Sequence, residues 1–194
     1  VALVIDPTID VAELAAQIHQ WLGESDANSP DRRRLLELAR QALDAGSDRL
    51  PELRWSEGCL RVWGGWIVSV SEPAEDWRLP EEVVVGEPAE GDWGRLDWEA
   101  ADDDPGLAPG TRLSCRASGE IESVTPLNRP QKPTNKWLQE MRIPPWWRRH
   151  LPVLHSKTEP VWVLPVGPLS AAAATEGSTT APGLRPIWRL SSSL

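Results

Sequence analysis

The feature that most constrains the fold is a change of hydrophobic period after residue 50. Residues 10–22 carry apolar side chains at helical spacing, and residues 30–43 carry a second stripe of the same kind. The apolar positions then alternate, and Gly64-Gly65 separates the alternating runs 59–63 and 66–70, which is a strong signal for a two-residue hairpin. The pattern predicts two helices followed by a β-hairpin in a first unit of residues 1–72.

The second helix has recognisable start and stop signals. Ser29 is predicted to be its N-cap, Pro30 its first residue, and Gly46 the residue that ends it. Three arginines at positions 32–34 follow, where the helix macrodipole disfavours positive charge. These arginines form either a ligand-facing surface or a solvated helix face, and the sequence leaves both interpretations open.

Charge is divided unevenly along the chain, whose formal net charge is −9. Residues 72–122 carry 15 acidic and four basic side chains, whereas residues 125–157 carry seven basic side chains against Glu140 alone, a net charge of +6. We call residues 125–157 the basic segment. Because phosphate contacts act within a Debye length of about 8–10 Å, this local charge favours a structured RNA or another defined polyanion. The alternative is a solvated basic helix face whose tryptophans belong to the core.

The basic segment is predicted to form a helix and a turn. A short helix is expected from residue 134 or 135 to Arg142, with Trp137, Leu138 and Met141 on its buried side. Pro144-Pro145 ends this helix, and a further helical turn begins immediately after. Strands are predicted at residues 82–85, 95–98, 111–115, 151–154 and 161–166. Because helices and strands are both expected, the predicted fold class is α+β.

The predicted organisation has four parts. The helix pair with its β-hairpin (1–72) is followed by an acidic connector with short strands (73–109) and by a small α+β C-terminal domain (110–166). Residues 167–194 are predicted to be a low-complexity tail, since Ala, Ser, Thr and Gly predominate over 169–183 and favour disorder. Residues 184–190 are apolar enough to dock as a last strand.

Composition argues against several classes of function. The sequence has no run of eighteen apolar residues, so no transmembrane helix is expected. Cys59 and Cys115 lack C-x-x-C spacing and are typical of reduced, partly buried thiols in a cytoplasmic protein, and the three histidines lack the spacing of zinc ligands. No Ser-His-Asp or Cys-His arrangement supports a hydrolase, and the aspartates at 102–104 are interpreted as a solvated turn. The chain has 12 Trp but no Phe or Tyr, so tryptophan provides all the aromatic packing.

The string K-W-L-Q-E-M-R-I-P-P-W-W-R-R-H-L-P-V-L, which begins at Lys136, resembles the C-terminal domain of the tRNA(Ile)-lysidine synthase family. That family has a basic K-x-L-K-K-L-F-Q-E stretch, then P-P-W, an arginine-rich turn and P-L-L before a strand. The resemblance covers about residues 110–166, and more weakly residues 10–70, which are similar to the family's substrate-binding domain. The matching residues are Lys136, Gln139, Glu140, Pro144, Pro145, Trp146, Arg148, Pro152 and Leu154.

Several positions depart from the family pattern. Thr134-Asn135 stands in place of Ser-Leu, one lysine is missing, and His155 occupies the place of an aromatic residue. The S-G-G-x-D-S loop with which the family binds ATP does not occur in the chain. The resemblance therefore implies the C-terminal portion of such an enzyme, without the N-terminal ATP-pyrophosphatase domain.

The resemblance also implies a role. The family converts the wobble cytidine of isoleucine tRNA to lysidine with ATP and lysine, and this portion would bind and orient the tRNA in the cytoplasm, through the acceptor stem. ATP and Mg²⁺ are implied for the full-length enzyme, with no cofactor in this portion. The expected partners are isoleucine tRNA and the catalytic domain of the same protein, and a homodimer is left open. The competing hypothesis is a nucleic-acid-independent protein-interaction module with a Trp-rich docking groove. No catalytic, cofactor-binding or metal-binding residues are predicted, and the predicted RNA-binding residues are Arg129, Lys132, Lys136, Arg142, Arg148 and Arg149.

Overall fold

A computed structural model describes residues 2–23, 29–44, 49–70, 78–101, 106–157, 159–175 and 183–190. The chain divides into two compact units, Val1–Pro73 and Ala74–Leu194. The predicted α+β class is confirmed, since helices and antiparallel strands occur in both units. Within the described ranges, no helix is long and apolar enough to cross a lipid bilayer.

Within its described residues, the first unit contains two helices and a four-stranded antiparallel sheet whose strand order is β1-β4-β3-β2. Strand β1 lies at the edge of this sheet and pairs with β4, a long-range contact that the sequence did not predict. The elements are β1 (Ala2–Val4), α1 (Val11–Gly23), α2 (Arg32–Asp44), β2 (Glu52–Trp55), β3 (Gly58–Trp63) and β4 (Trp66–Ser69).

The predicted hairpin is confirmed. Strands β3 and β4 pair up to Trp63 opposite Trp66, and the turn between them places Gly64 at φ 60° and Gly65 at φ 84°. Both values lie in the left-handed region that a type I′ turn requires and that glycine adopts without a steric cost. The hairpin side chains Leu60 and Ile67 are fully buried in one core with the apolar stripes of α1 and α2.

The two helices begin at aspartates. Asp10 Oδ1 accepts a hydrogen bond from the Glu13 backbone N–H at 2.8 Å, and Asp31 Oδ1 accepts one from the Arg34 N–H at 3.1 Å. The prediction of Ser29 as the N-cap of α2 was therefore wrong, because a carboxylate nearer to the first turn satisfies its free N–H groups. Ser29 Oγ instead lies 2.8 Å from His19 Nδ1. Gly46, which was predicted to end α2, lies outside the described residues.

In the part of the second unit that the structure describes, there are three antiparallel sheets and one α-helix. The strand orders are β13-β12-β11-β8-β5, β14-β7-β6 and β10-β9. The helix α3 comprises Thr134–Glu140, and 3-10 helices occur at Ser118–Glu120 and Ser170–Thr175. The strands are β5 (Glu82–Val84), β6 (Ala89–Gly91), β7 (Gly94–Ala100), β8 (Arg112–Ala117), β9 (Ser123–Val124), β10 (Lys132–Pro133), β11 (Pro152–Ser156), β12 (Glu159–Val163), β13 (Gly167–Pro168) and β14 (Leu184–Arg189).

One core joins most of this unit. Leu96 of β7, Leu113 of β8, Leu138 of α3 and Leu154 of β11 are fully buried in the same cluster. The segment 73–109, predicted as a connector, is not separate from the domain after it, because β5 pairs with β8 and contributes to the five-stranded sheet. Sequence patterns report each strand but not its partner, which explains the misplaced division.

The predicted low-complexity tail is partly ordered. Strand β13 pairs with β12, Leu169 and Ala172 are buried, and β14 pairs with β7 along its whole length. The predicted last strand is thereby confirmed, whereas the prediction of disorder was wrong for residues 169–175. A weakly apolar segment can order on a sheet that the rest of the chain has already formed, so its own composition is a poor guide. Residues 176–182 lie outside the description.

Candidate nucleic-acid interface

The basic segment folds into a corner, which we define as residues 134–150. Helix α3 buries Trp137 and Leu138 against the core of the second unit, as predicted. After the prolines, the Trp147 N–H donates to the Pro144 carbonyl at 3.0 Å and the His150 N–H to the Trp147 carbonyl at 2.9 Å, which gives the predicted further turns. Met141 is 42% exposed, so its predicted burial was wrong. The helix ends at Glu140, and a residue beyond the last turn no longer follows the buried stripe.

Arg142, two residues beyond the end of helix α3, has a backbone conformation that is uncommon for its residue type. Its φ is 56°, its N–H donates to the Gln139 carbonyl at 3.0 Å, and the Ile143 N–H donates to the Leu138 carbonyl at 2.9 Å. This pair of hydrogen bonds is the Schellman arrangement, in which glycine usually occupies the left-handed position. The arginine side chain is exposed there, at the outside of the corner.

Arg148 stabilises the corner through a hydrogen bond between its side chain and the backbone of the corner. Its Nε donates to the Ile143 carbonyl at 2.7 Å, and the side chain is partly buried, which lowers the pKa of Arg148 through desolvation. The neighbouring backbone is held as well, since Ser118 Oγ donates to the Arg148 carbonyl at 2.9 Å and the Gly119 N–H to the Arg149 carbonyl at 3.1 Å. Arg148 thus has a structural partner, whereas the side chain of Arg149 is exposed.

Three of the predicted RNA-binding residues surround one carboxylate. Lys132 Nζ lies 2.7 Å from Glu140 Oε2, and the side chains are 20% and 39% exposed. The hydrogen bond from Lys132 is the main cause of a lowered Glu140 pKa, and the charges of Lys132, Lys136 and Arg129 lower it further. We call Arg129, Lys132, Lys136 and Glu140 the Glu140 cluster. Its carboxylate is ionised at neutral pH.

The six predicted residues therefore fall into two groups. Lys132 and Arg148 are partly buried and bound to protein groups, whereas the other four are exposed and form no ion pair with a carboxylate that the structure describes. Sequence reasoning missed Ser118 and Gly119, which hold the backbone of the arginine turn, because these contacts span about thirty residues and leave no local pattern. The four exposed residues are Arg129, Lys136, Arg142 and Arg149.

The arginines at positions 32–34 are less available than the sequence suggested. Arg32 and Arg33 are exposed, but the Arg34 guanidinium donates to the Arg54 carbonyl of β2. Nearby, Arg40 pairs with Glu37 at 2.8 Å and with Asp44 at 3.3 Å. With respect to the residues described in the first unit, Arg32 and Arg33 have exposed guanidiniums without an ion-pair partner, and both interpretations of the cluster remain predictions.

The tryptophans serve mainly as scaffold. Trp93, Trp137, Trp162 and Trp188 are buried, and Trp188 Nε1 donates to the Trp93 carbonyl at 3.1 Å. The corner residues Trp146 and Trp147 are half-buried. The basic segment consequently presents its charges to solvent and keeps most of its aromatic surface inside.

The cysteines and histidines show no site. Both cysteines are described and buried, and they are not joined in a disulfide, as predicted; burial raises the pKa of Cys115 to about 12. His155 is buried in β11, where desolvation lowers its pKa, and its Nδ1 lies 3.1 Å from the Val153 carbonyl oxygen. No group of three or more His, Cys, Asp or Glu residues within the described part of the chain is placed to hold a metal ion.

Comparison with known proteins identifies both units. A family model described as the TilS substrate binding domain matches residues 8–68, and one described as the TilS substrate C-terminal domain matches residues 113–188. A tRNA(Ile)-lysidine synthase of Alkalilimnicola ehrlichii is 30% identical over 82% of this chain and 37% of its own length. The tRNA(Ile)-lysidine synthases of Chromobacterium violaceum and Azoarcus sp. are 30% and 29% identical, over 87% and 91% of this chain and 39% of their own lengths.

The chain thus spans 37–39% of the length of these curated relatives. The matches cover the substrate-binding and C-terminal domains, as the resemblance of the basic segment implied. The chain belongs to the tRNA(Ile)-lysidine synthase family.

Proposed function

We propose that this chain is the tRNA-binding portion of a tRNA(Ile)-lysidine synthase. It binds isoleucine tRNA in the cytoplasm and orients it through the acceptor stem. A catalytic domain of the same protein then converts the wobble cytidine to lysidine with ATP and lysine. The matched relatives are proteins named tRNA(Ile)-lysidine synthase. The domains that match this chain are those that the family models describe as substrate domains.

The observation that carries the proposal is the exposure of four cations of the basic segment that form no ion pair with a described carboxylate. Arg129, Lys136, Arg142 and Arg149 present positive charge to solvent within a protein whose net charge is −9. Acidic surface elsewhere repels a polyanion, so binding is favoured where these side chains lie. Guanidinium and ammonium groups bind phosphates, which position a nucleic acid without reading its sequence.

The chemistry of these side chains fits a double-helical stem. An RNA duplex is recognised mostly through its shape, phosphates and 2′-hydroxyl groups, which calls for charged and polar side chains at the surface. Base stacking would call for exposed aromatic rings, whereas Trp137 is buried and Trp146 and Trp147 are half-buried. The basic segment is therefore better suited to a stem than to unpaired bases.

The competing hypothesis, a protein-interaction module with a Trp-rich docking groove, is not favoured. Four tryptophans of the second unit, Trp93, Trp137, Trp162 and Trp188, are buried in its core and unavailable to line such a groove. Both matched family models describe substrate domains, and neither describes a protein-binding module.

ATP and Mg²⁺ are assigned to the part of the enzyme outside this chain. The sequence contains no S-G-G-x-D-S loop whose backbone amides would hold a pyrophosphate. The residues present thus do not fit ATP, and we derive no catalytic step through it.

A filter-binding titration tests the proposal. The full chain is titrated with isoleucine tRNA at 50 mM and 200 mM salt, beside a four-site variant in which Arg129, Lys136, Arg142 and Arg149 are replaced by Ala. Each lost phosphate contact should reduce the salt slope by about one unit, so the variant should bind weakly and with little salt dependence.

The matched control removes four arginines of the same unit that are engaged in ion pairs. It lowers the net charge by the same amount, and it should bind tRNA much like the parent chain if exposed, unpaired cations make the contacts. Equal losses in the two variants, or salt-independent binding by the parent chain, would contradict the proposal. The control positions, each replaced by Ala, are Arg95, Arg112, Arg185 and Arg189.

A further inference from the structure

Glu140 occupies a position that a simple phosphate-binding surface would leave to a neutral residue. It is the single acidic side chain of the basic segment, and it lies one helical turn after Lys136 on α3. Lys132 contacts Glu140 from β10. Arg129 lies in the preceding turn, where its backbone N–H donates to the Pro126 carbonyl at 3.0 Å. Lys132 thus pairs with the Glu140 carboxylate, and the charges of Lys136 and Arg129, from two neighbouring elements, act on the same carboxylate.

The ion pair between Lys132 and Glu140 changes the charge that an approaching polyanion encounters. With its Nζ 2.7 Å from Glu140 Oε2 and its side chain 20% exposed, Lys132 is directed at the carboxylate and away from solvent. A phosphate that approached Lys132 would also approach an ionised carboxylate, and like charges repel each other. Lys136 and Arg129 are exposed and remain accessible to a phosphate.

We propose that Glu140 determines the specificity of this cluster by withholding Lys132 from polyanions that do not fit. This inference rests on the proposed function and adds to it a discriminating residue. Glu140 reduces the charge available to any flexible polyanion, and it leaves two accessible cations whose backbones are held in a turn and in helix α3. A rigid RNA duplex whose phosphates match those two cations loses little affinity when Lys132 is withheld. A flexible polyanion, which binds wherever charge is densest, loses more.

The test compares Glu140→Gln with Glu99→Gln in the full chain. Both replacements remove the charge of an exposed carboxylate that is paired with a cation of the second unit. Glu99 Oε2 accepts from Arg185 Nη2 at 3.1 Å, but Glu99 lies on β7 outside the cluster. Affinities for isoleucine tRNA, poly(U) and heparin are measured over a series of salt concentrations, and a thermal melt of each variant establishes that it is folded.

Freeing Lys132 should add one phosphate contact. Glu140→Gln should raise the affinity for poly(U) and heparin by about fivefold to tenfold and steepen the salt slope by about one unit. The affinity for tRNA should rise less, so the ratio of tRNA to poly(U) affinity falls. Adding Lys132→Ala to Glu140→Gln should return the slope to the parent value, and Glu99→Gln should change neither slope nor ratio.

Two results overturn this inference. If Glu140→Gln behaves like Glu99→Gln while the parent chain binds tRNA with a steep salt dependence, the pair is only structural and the proposed function survives. If the parent chain fails to bind tRNA even at low salt, the proposed function fails and the role of Glu140 fails with it.

Discussion

Replacing Arg142 by glycine should stabilise the second unit and at the same time weaken RNA binding. Arg142 holds φ 56°, a left-handed conformation that costs a residue with a Cβ atom roughly 1–2 kcal/mol. Glycine avoids this cost but loses about 0.5–1 kcal/mol more conformational entropy on folding. The arginine side chain is exposed, so its removal sacrifices no packing. The net gain in the free energy of unfolding should be about 0.5–1 kcal/mol.

Urea denaturation of the full chain measures this change, and a gain of this size should raise the melting temperature by about 2–5 °C. Arg142→Ala is the matched variant, because it removes the same charge and keeps the backbone cost. Asn128→Gly is a second control: Asn128 has φ 57°, but asparagine tolerates this region, so its gain should be smaller. If Arg142→Gly were no more stable than Arg142→Ala, the assignment of a strained helix end would be refuted. Both Arg142 variants should lose tRNA affinity equally.

Three further predictions follow from local contacts. In chemical denaturation, Asp31→Ala should destabilise the first unit by about 1 kcal/mol and Ser29→Ala by less, because Asp31 accepts the N–H bond at the start of α2. A larger loss in Ser29→Ala than in Asp31→Ala would identify Ser29 as the N-cap. In an NMR titration, the Glu140 carboxyl should titrate below its ordinary value of 4.5, and Lys132→Ala should raise that pKa. Because the pKa of Glu140 is lower in the folded chain than in the unfolded chain, the stability that this pair contributes is present above pH 4.5. It is lost as the pH falls through the folded-state pKa. An unchanged Glu140 pKa in Lys132→Ala would contradict the pairing. Cys115, whose pKa is raised to about 12, should resist iodoacetamide at pH 8 in the folded chain and react after unfolding, and rapid labelling of the native chain would contradict its burial.

Local patterns were sufficient to predict the helices and the hairpin. The stripes of α1 and α2 and the Gly64-Gly65 turn are set by residues within one or two turns of each other, so period and turn chemistry determine them. The ends of elements were less predictable. Ser29 and Asp31 are both good capping residues, and no local pattern showed that Ser29 Oγ lies 2.8 Å from His19 Nδ1 of the other helix while Asp31 accepts the N–H bond.

Long-range pairing could not be predicted from local signals. Strand β14 pairs with β7 and β1 with β4 across many intervening residues, and a strand's own sequence does not specify its neighbour. The same limit applied to the candidate interface. The sequence identified the cations of the basic segment, but it did not show that Lys132 pairs with Glu140 or that Arg148 Nε donates to the Ile143 carbonyl.

The lysines allow the central claim to be tested at single residues. The chain has three lysines, Lys132, Lys136 and Lys157, and all of them lie in the basic segment. Their acetylation rates are measured by mass spectrometry with and without isoleucine tRNA. If the corner binds the tRNA backbone, Lys136 should be strongly protected by tRNA, while Lys132 should react slowly in both states because Glu140 holds it. Equal labelling of Lys136 in the presence and absence of tRNA, at concentrations where tRNA is bound, would contradict the account.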